Sequence, residues 1–326
     1  MNYRKLGNSG FKVSEIGLGC WQLGADWGQQ VAEEQAQEIL KTAGKNEISF
    51  YDTADVYGNG RSEKILGTFF GGSDQVKIAT KFGRGGDVFP DSYSEAALRK
   101  AVAASCERLQ VDQLDLLQLH CIPEEELRKG SIFDWLRSLK EEGKIANFGA
   151  SVESEQEGLL CLEQEGITSL QIIFNIFRQK MEEKLLPAVA EKGVGIIVRL
   201  PLASGLLTGK FDQSTKFACD DHRNFNRNGE QFNVGETFAG LPFEKGVELA
   251  EKLKALCPPE ISLTELSLRW ILDHPEVSSI IPGASSARHI AANAEASEIE
   301  PLSQELKDQI SRFYQEEVHE HIRGKY

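Results

Sequence analysis

A (β/α)8 TIM barrel, with an N-terminal β-hairpin and a long loop after its seventh strand, is the fold this 326-residue sequence predicts. Three observations predict it. Apolar runs of strand length alternate strictly with segments of helical spacing. Eight such strands appear, the number that favours closure of a parallel sheet. The competing doubly wound dinucleotide sheet needs G-x-G-x-x-G after its first strand, and Gly17-Leu18-Gly19-Cys20-Trp21-Gln22-Leu23-Gly24 misplaces the third glycine.

Taken in order, Met1 to Val13, with an Asn8-Ser9-Gly10 turn, reads as the hairpin. Glu15 to Trp21 is the first barrel strand, and Glu33 to Ala43 is helical. Ile48 to Thr53 is strand two, followed by a helix over Ser62 to Phe70. Val76 to Lys81 is strand three; Leu98, Val102, Cys106 and Leu109 then recur at helical spacing in a helix from Ser94 to Leu109. Leu114 to His120 is strand four, and the helix Ser131 to Glu142 stops at Gly143. Ile145 to Ser151 is strand five, Ser154 to Gln164 helical, Leu170 to Asn175 strand six, and Glu182 to Lys192 a helix stopped by Gly193. Val194 to Arg199 is strand seven. The irregular stretch from Pro201 to Gly240 is long enough to suggest a role of its own. Helices over Phe243 to Leu256 and Ser262 to Leu272 precede strand eight, Val277 to Ile281, and helices over Ala287 to Ser297 and Gln304 to His321 end the chain. No linker or composition break divides it, so one barrel domain over residues 1–326 is expected.

A net charge of -14 argues against a nucleic-acid surface, whose affinity rests on basic patches. No apolar run is long enough for a membrane span, and no apolar segment follows the basic residues at the N-terminus as a signal peptide would require. Six scattered cysteines without a CxxC pair suit a reducing cytoplasm and free thiols. His120 is the one histidine at a strand end, so no metal site is expected.

Active sites of such barrels lie at the C-terminal strand ends. Strand two offers Asp52 there, with Tyr57 just beyond; strand three ends in Lys81 and strand four in His120. Singly, each has a plain structural reading: a turn-capping aspartate, a loop-packing tyrosine, an edge lysine, a bonded core histidine. At three adjacent strand ends they form a proton-transfer set. A phenol with a free pKa near ~10 is a poor acid-base group at neutral pH. A nearby cation lowers that pKa, and Lys81, held charged by Asp52, is the candidate.

These residues, in this order, resemble the aldo-keto reductase family over nearly the whole chain. The resemblance is carried by Asp52-Thr53-Ala54, Tyr57-Gly58, Ser62-Glu63, Thr80-Lys81 and Leu119-His120. Downstream, Gly149-Ala150-Ser151, Gln171 with Asn175, Pro201 to Lys210, and Ile281 to Ser286 with Asn293 agree. It implies reduction of an aldehyde or ketone by NADP(H), with NAD(H) possible, the cofactor lying across the barrel mouth. In that reading Tyr57 donates the proton, Lys81 and Asp52 tune it, and His120 positions the substrate. Ser151 and Gln171 would hold the carboxamide, the Leu202, Ser204, Gly205 and Leu206 backbone with Lys210 the pyrophosphate, and Gly283, Ser285, Ser286 and Asn293 the adenosine end. Trp21 is counted with the cofactor residues; Trp27 and Phe82 stand near the expected mouth.

Departures are visible. Val152 stands where the family usually has asparagine, and Arg199 where many members stack an aromatic ring on the nicotinamide. Arg199 either stacks its guanidinium on that ring, contacts a phosphate, or pairs with a carboxylate at the barrel edge. The adenosine-phosphate corner holds Ser285, His289 and Ala292 in place of the usual charged residues, with Arg288 one place off register. The segment Phe217 to Phe238 is either a lid or a solvated insertion. The alternative function is a cofactor-binding regulatory protein with little turnover. A small-molecule carbonyl compound is the expected partner; its identity and the oligomeric state are not legible.

Overall fold

The computed structural model describes residues 1–24 and 31–326; Trp27 lies outside them. Strands β1 (Tyr3–Lys5) and β2 (Lys12–Ser14) form the antiparallel hairpin. The eight barrel strands are β3 (Leu18–Gly19), β4 (Phe50–Asp52), β5 (Lys77–Phe82), β6 (Leu114–His120), β7 (Ile145–Ser151), β8 (Ile167–Ile173), β9 (Gly195–Arg199) and β10 (Val277–Ile280). Each pairs in parallel with its sequence neighbour from β3 to β10. Bridges Ile16 to Ile280 and Gly19 to Gly283 join the two ends, so the sheet closes.

The period of two along each strand explains where polar and apolar residues go. Phe50, Ala79, Leu116 and Ile197 form an apolar layer inside the lower barrel, with Leu6 and Val13 of the hairpin closing the floor. Two residues further along the same strands stand Asp52, Lys81, Gln118 and Arg199; two further on β6 stands His120. The apolar layer is therefore the base on which a polar layer sits.

The hairpin seats itself with Arg4, whose guanidinium donates to the carbonyls of Leu272, His274 and Val277 and pairs with Glu15. Gly7 lies at φ +49°, where a Cβ would stand 2.3 Å from the Gly195 nitrogen and 2.6 Å from the Thr168 oxygen. Backbone on both sides cannot yield as a side chain would. Gly7→Ala is accordingly expected to lower unfolding free energy by at least about 2 kcal/mol, read as an earlier urea midpoint.

Outside, helices follow the strands as expected, several with side-chain caps. Ser154 with Glu157 and Ser262 with Glu265 form capping boxes, and Ser94 caps the helix Glu95–Leu109. Three corrections arise. Strand six begins and ends earlier than Leu170 to Asn175, because Asn175 turns back to pair with Arg178. A helix over Glu124–Lys129 follows β6, opened by Pro123 and three glutamates. The strand predicted from Glu15 to Trp21 keeps only Leu18–Gly19 as ladder before a short helix, Trp21–Gly24.

The stretch from Pro201 to Gly240 is packed against the barrel. Phe211, Phe217, Phe238 and Phe243 stack at centroid distances of 5.0 to 6.1 Å, and Arg223 lies over Phe217. Buried Asn226 ties it internally through Thr237, Gln231 and Phe232. Arg178 donates to the Ala239 and Lys325 carbonyls, and Arg323 to those of Gly240, Leu241 and Arg227. The solvated-insertion reading is therefore replaced by an ordered segment. All six cysteines are free. Among the described residues no helix is long and apolar enough to cross a membrane.

Candidate active site

Tyr57, Lys81, Asp52 and His120 meet at the mouth. The Lys81 Nζ lies 2.5 Å from Asp52 Oδ1, 2.7 Å from the Thr53 carbonyl and 3.3 Å from the Tyr57 hydroxyl. The His120 ring meets the Tyr57 ring edge-on, with centroids 5.9 Å apart. Asp52, Lys81 and His120 are buried, and Tyr57 is half-buried.

Beneath them is a layer that sequence reasoning reached only in part. The second oxygen of Asp52 accepts from Gln118 Nε2 at 2.9 Å and from Gln171 Nε2 at 2.7 Å. Ser151 Oγ donates to Gln171 Oε1 at 3.4 Å. Gln118 escaped notice inside the apolar run Leu116-Leu117-Gln118-Leu119, although its spacing of two from His120 points it to the same face. These amides fix Asp52 so that it presents one oxygen to the lysine.

The electrostatics follow from burial and charge. Burial opposes the ammonium of Lys81, but Asp52 and then Tyr57 outweigh it and hold its pKa above the ordinary lysine value. Burial raises the Tyr57 hydroxyl above the ordinary phenol value, more than the Lys81 charge lowers it. Lys81 lowers the Tyr57 pKa as expected, but burial outweighs it, so the lysine moderates the rise and the phenol is kept protonated. His120 is driven well below its usual pKa by burial, then by the charges of Lys81, Arg84 and Arg199. It is neutral at pH 7, and its Nδ1 is buried without a partner.

Around this core the mouth carries further groups. Arg199 Nη1 stands 3.6 Å from Glu236, its Nη2 3.5 Å from the Val152 carbonyl, and its Nε is buried without a partner. Arg84 pairs with Glu153 at 2.8 Å and Glu236 at 3.2 Å. Trp21 meets His222 edge-on at 5.0 Å, so the segment after β9 reaches across to the first barrel loop. In the turn Ala203–Thr208, Ser204 and Gly205 take left-handed backbone, and a Cβ on Gly205 would strike the Phe211 ring at 2.8 Å. The Leu206 side chain is in the core. Lys210 is exposed, and its charge, with that of Arg288, acts on His289. Ser285 and Gly283 are exposed on the loop after β10, and Asn293 is buried behind it. Ser286 stands at the N-cap of helix Ala287–Glu295 with no side-chain cap bond, so its hydroxyl is not spent on the helix.

The sequence matches the aldo/keto reductase family over residues 15–315. The chain belongs to the aldo-keto reductase family. It is 32% identical over 313 residues to the uncharacterized oxidoreductase YqkF of Bacillus subtilis (strain 168), covering 94% of each chain. Among solved structures it resembles the aldo-keto reductase AKR11C1 of Bacillus halodurans in its holo form, with a TM-score of 0.78, 28% identity and 96% of each chain covered. It also resembles the glycerol dehydrogenase AKR11B4 of Gluconobacter oxydans, with a TM-score of 0.80 and 25% identity, over 99% of this chain and 98% of that one. As an aldo-keto reductase it is an NAD(P)H-dependent oxidoreductase built on the parallel barrel described above.

Proposed function

We propose that the protein reduces an aldehyde or ketone to an alcohol, with Tyr57 as the proton donor. The observation that carries this reading is the 3.3 Å contact between Lys81 Nζ and the hydroxyl of a protonated, half-buried phenol. A nicotinamide cofactor, when bound, would supply the hydride. The carbonyl oxygen gains charge as the hydride arrives, and the Tyr57 O–H bond breaks to deliver its proton there. Lys81 then stabilises the phenolate left behind, and Asp52 keeps the lysine charged. Neutral His120, with one ring N–H to give, orients the carbonyl oxygen toward the phenol.

The residues present fit the cofactor. Ser151, Gln171 and Arg199 would hold its nicotinamide end, with the unpartnered Arg199 Nε supporting a ligand there. The Leu202 to Leu206 backbone with Lys210 would hold the pyrophosphate, and Trp21, Gly283, Ser285, Ser286 and Asn293 the remainder. Lys210 and Arg288 bring their positive charges to bear on neutral His289 at one corner, which supports NADPH over NADH. Arg288→Ala is expected to raise the Kd for NADPH about tenfold and to change that for NADH less than about twofold. Equal loss for both cofactors in a fluorescence titration would mean that the corner does not read the extra phosphate. The free thiols suit a cytoplasmic location.

The test is NADPH oxidation, followed at 340 nm, over a panel of aldehydes and ketones. Multiple turnover on some of them is the expected result. Tight cofactor binding with no turnover on any would return the regulatory reading.

A further inference from the structure

Arg84 stands two residues beyond β5, on the arc of strand ends that carries Tyr57, Lys81 and His120, and the reduction as described gives it no task. Its guanidinium is divided: Nη2 goes to Glu153 at 2.8 Å and Nη1 to Glu236 at 3.2 Å. Arg199, 3.6 Å from Glu236, completes a set of two arginines and two glutamates. Their side chains are only 22%, 13%, 12% and 16% exposed for Arg84, Arg199, Glu153 and Glu236. The set belongs to the reacting groups electrostatically: the Glu236 charge acts on the Tyr57 hydroxyl, and the Arg84 and Arg199 charges on His120.

We propose that Arg84 is a specificity residue that reads a carboxylate on the carbonyl substrate, and that Glu236 fills this subsite until such a substrate displaces it. The inference rests on the reductase reading and names the substrate class for it: aldehydes or ketones that carry a carboxylate.

Three observations support the exchange. First, an arginine fork binds one carboxylate best with two parallel bonds, yet Arg84 spends one Nη on each of two carboxylates, so neither is held bidentately. A substrate carboxylate arriving at Nη1 replaces like with like at that donor. Second, Glu153 and Glu236 are close, each with an oxygen within 4.8 Å of the other and of Cys121 Sγ. Burial and then Glu236 push the Glu153 carboxyl up, so the two acids oppose each other's charge. Glu236 is the one carried on the segment after β9, and the charges of Arg199 and Arg84 hold its carboxyl below the usual range against burial, so it is the anion that now occupies the arginines. With two guanidinium groups already neutralising this cluster, a metal ion has no electrostatic reason to enter it. Third, the segment does not depend on Glu236 for its place. Its phenylalanine stack, Asn226 with Thr237, and the Arg178 and Arg323 bonds hold it independently.

The experiment compares kcat/KM for oxo acids of three to five carbons with that for their methyl esters, in wild type, Arg84→Gln and Glu236→Gln. Wild type is expected to favour the best acid over its ester at least about tenfold, the worth of one charge-assisted contact. Arg84→Gln brings that ratio to about one. Glu236→Gln raises it, because the KM for the acid falls when the arginine is released. Opposite signs in the two variants separate recognition from general damage to the mouth. A ratio near one in wild type, an unchanged ratio in both variants, or a shift of the same sign in both overturns the inference while leaving the reductase reading intact. If neither acids nor esters turn over, the panel of aldehydes and ketones decides the reductase reading, which fails if none of those turns over either. Succinate binding, measured by calorimetry on the same three proteins, then decides the subsite: it stands if Arg84→Gln weakens binding and Glu236→Gln tightens it, and falls otherwise.

Discussion

Replacing Lys81 by methionine is expected to lower kcat by about 10²- to 10³-fold, the usual worth of one preorganised electrostatic contact to a developing charge. The ammonium is the only cation within hydrogen-bond distance of the Tyr57 hydroxyl among the described residues. Methionine keeps the length of the side chain and removes the charge. The proton then leaves Tyr57 with nothing to stabilise the phenolate, in a site where burial already raises its pKa. Single-turnover rates at saturating substrate and cofactor check this, because they isolate the chemical step from binding. The loss should appear at neutral pH, where Lys81 is charged. Its folded pKa is raised, so its contribution to stability is fully present below the unfolded value of 10.5 and is lost only as pH rises through the higher folded value.

The second large effect is on stability. Asp52→Asn leaves Lys81 buried without its counter-charge, and removing one partner of a buried pair costs about 3–5 kcal/mol. The asparagine amide would also face the donors of Gln118 and Gln171, which now point at a carboxylate oxygen. The double variant Asp52→Asn with Lys81→Met removes both charges and is expected to lose less than the sum of the two single losses. Urea unfolding of the four proteins in the cycle measures the difference. Strict additivity would mean that the 2.5 Å contact contributes no coupling.

How much of this was legible in the sequence depends on the range of the interaction. Asp52, Lys81 and His120 were legible because each ends an apolar run, and strict alternation places those ends on one rim. The hairpin was legible from its Asn8-Ser9-Gly10 turn, although its task as the floor of the barrel, seated by Arg4 and Gly7, was not. Gln118 had a periodic signal that its apolar neighbours concealed. Arg84 and Glu236 had none: they are 152 positions apart, and only the closed barrel with its folded-back segment brings them together. The protonation of Tyr57 shows a related limit. Reasoning from residue types counts the lysine next to a phenol, whereas burial, which turned out larger, is a property of the assembled mouth. Arg199 shows the same limit: pairing with a carboxylate is one of its three readings, and the carboxylate it meets, Glu236, lies on the folded-back segment.

The central claim is that Tyr57 gives its proton to the substrate. The most direct measurement is the rate of NADPH oxidation by Tyr57→Phe beside wild type on the same carbonyl compound, across pH, with cofactor affinity measured in parallel. Tyr57→Phe should bind cofactor unchanged and turn over at a rate lower by at least about a hundredfold, as expected for loss of a general acid. The wild-type rate should be level through pH 6.5, since His120 is already neutral there, and should fall only where Tyr57 deprotonates, above the ordinary phenol value of 10.0. Equal rates for the two proteins, or a wild-type rate that rises as the phenol ionises, would contradict the claim.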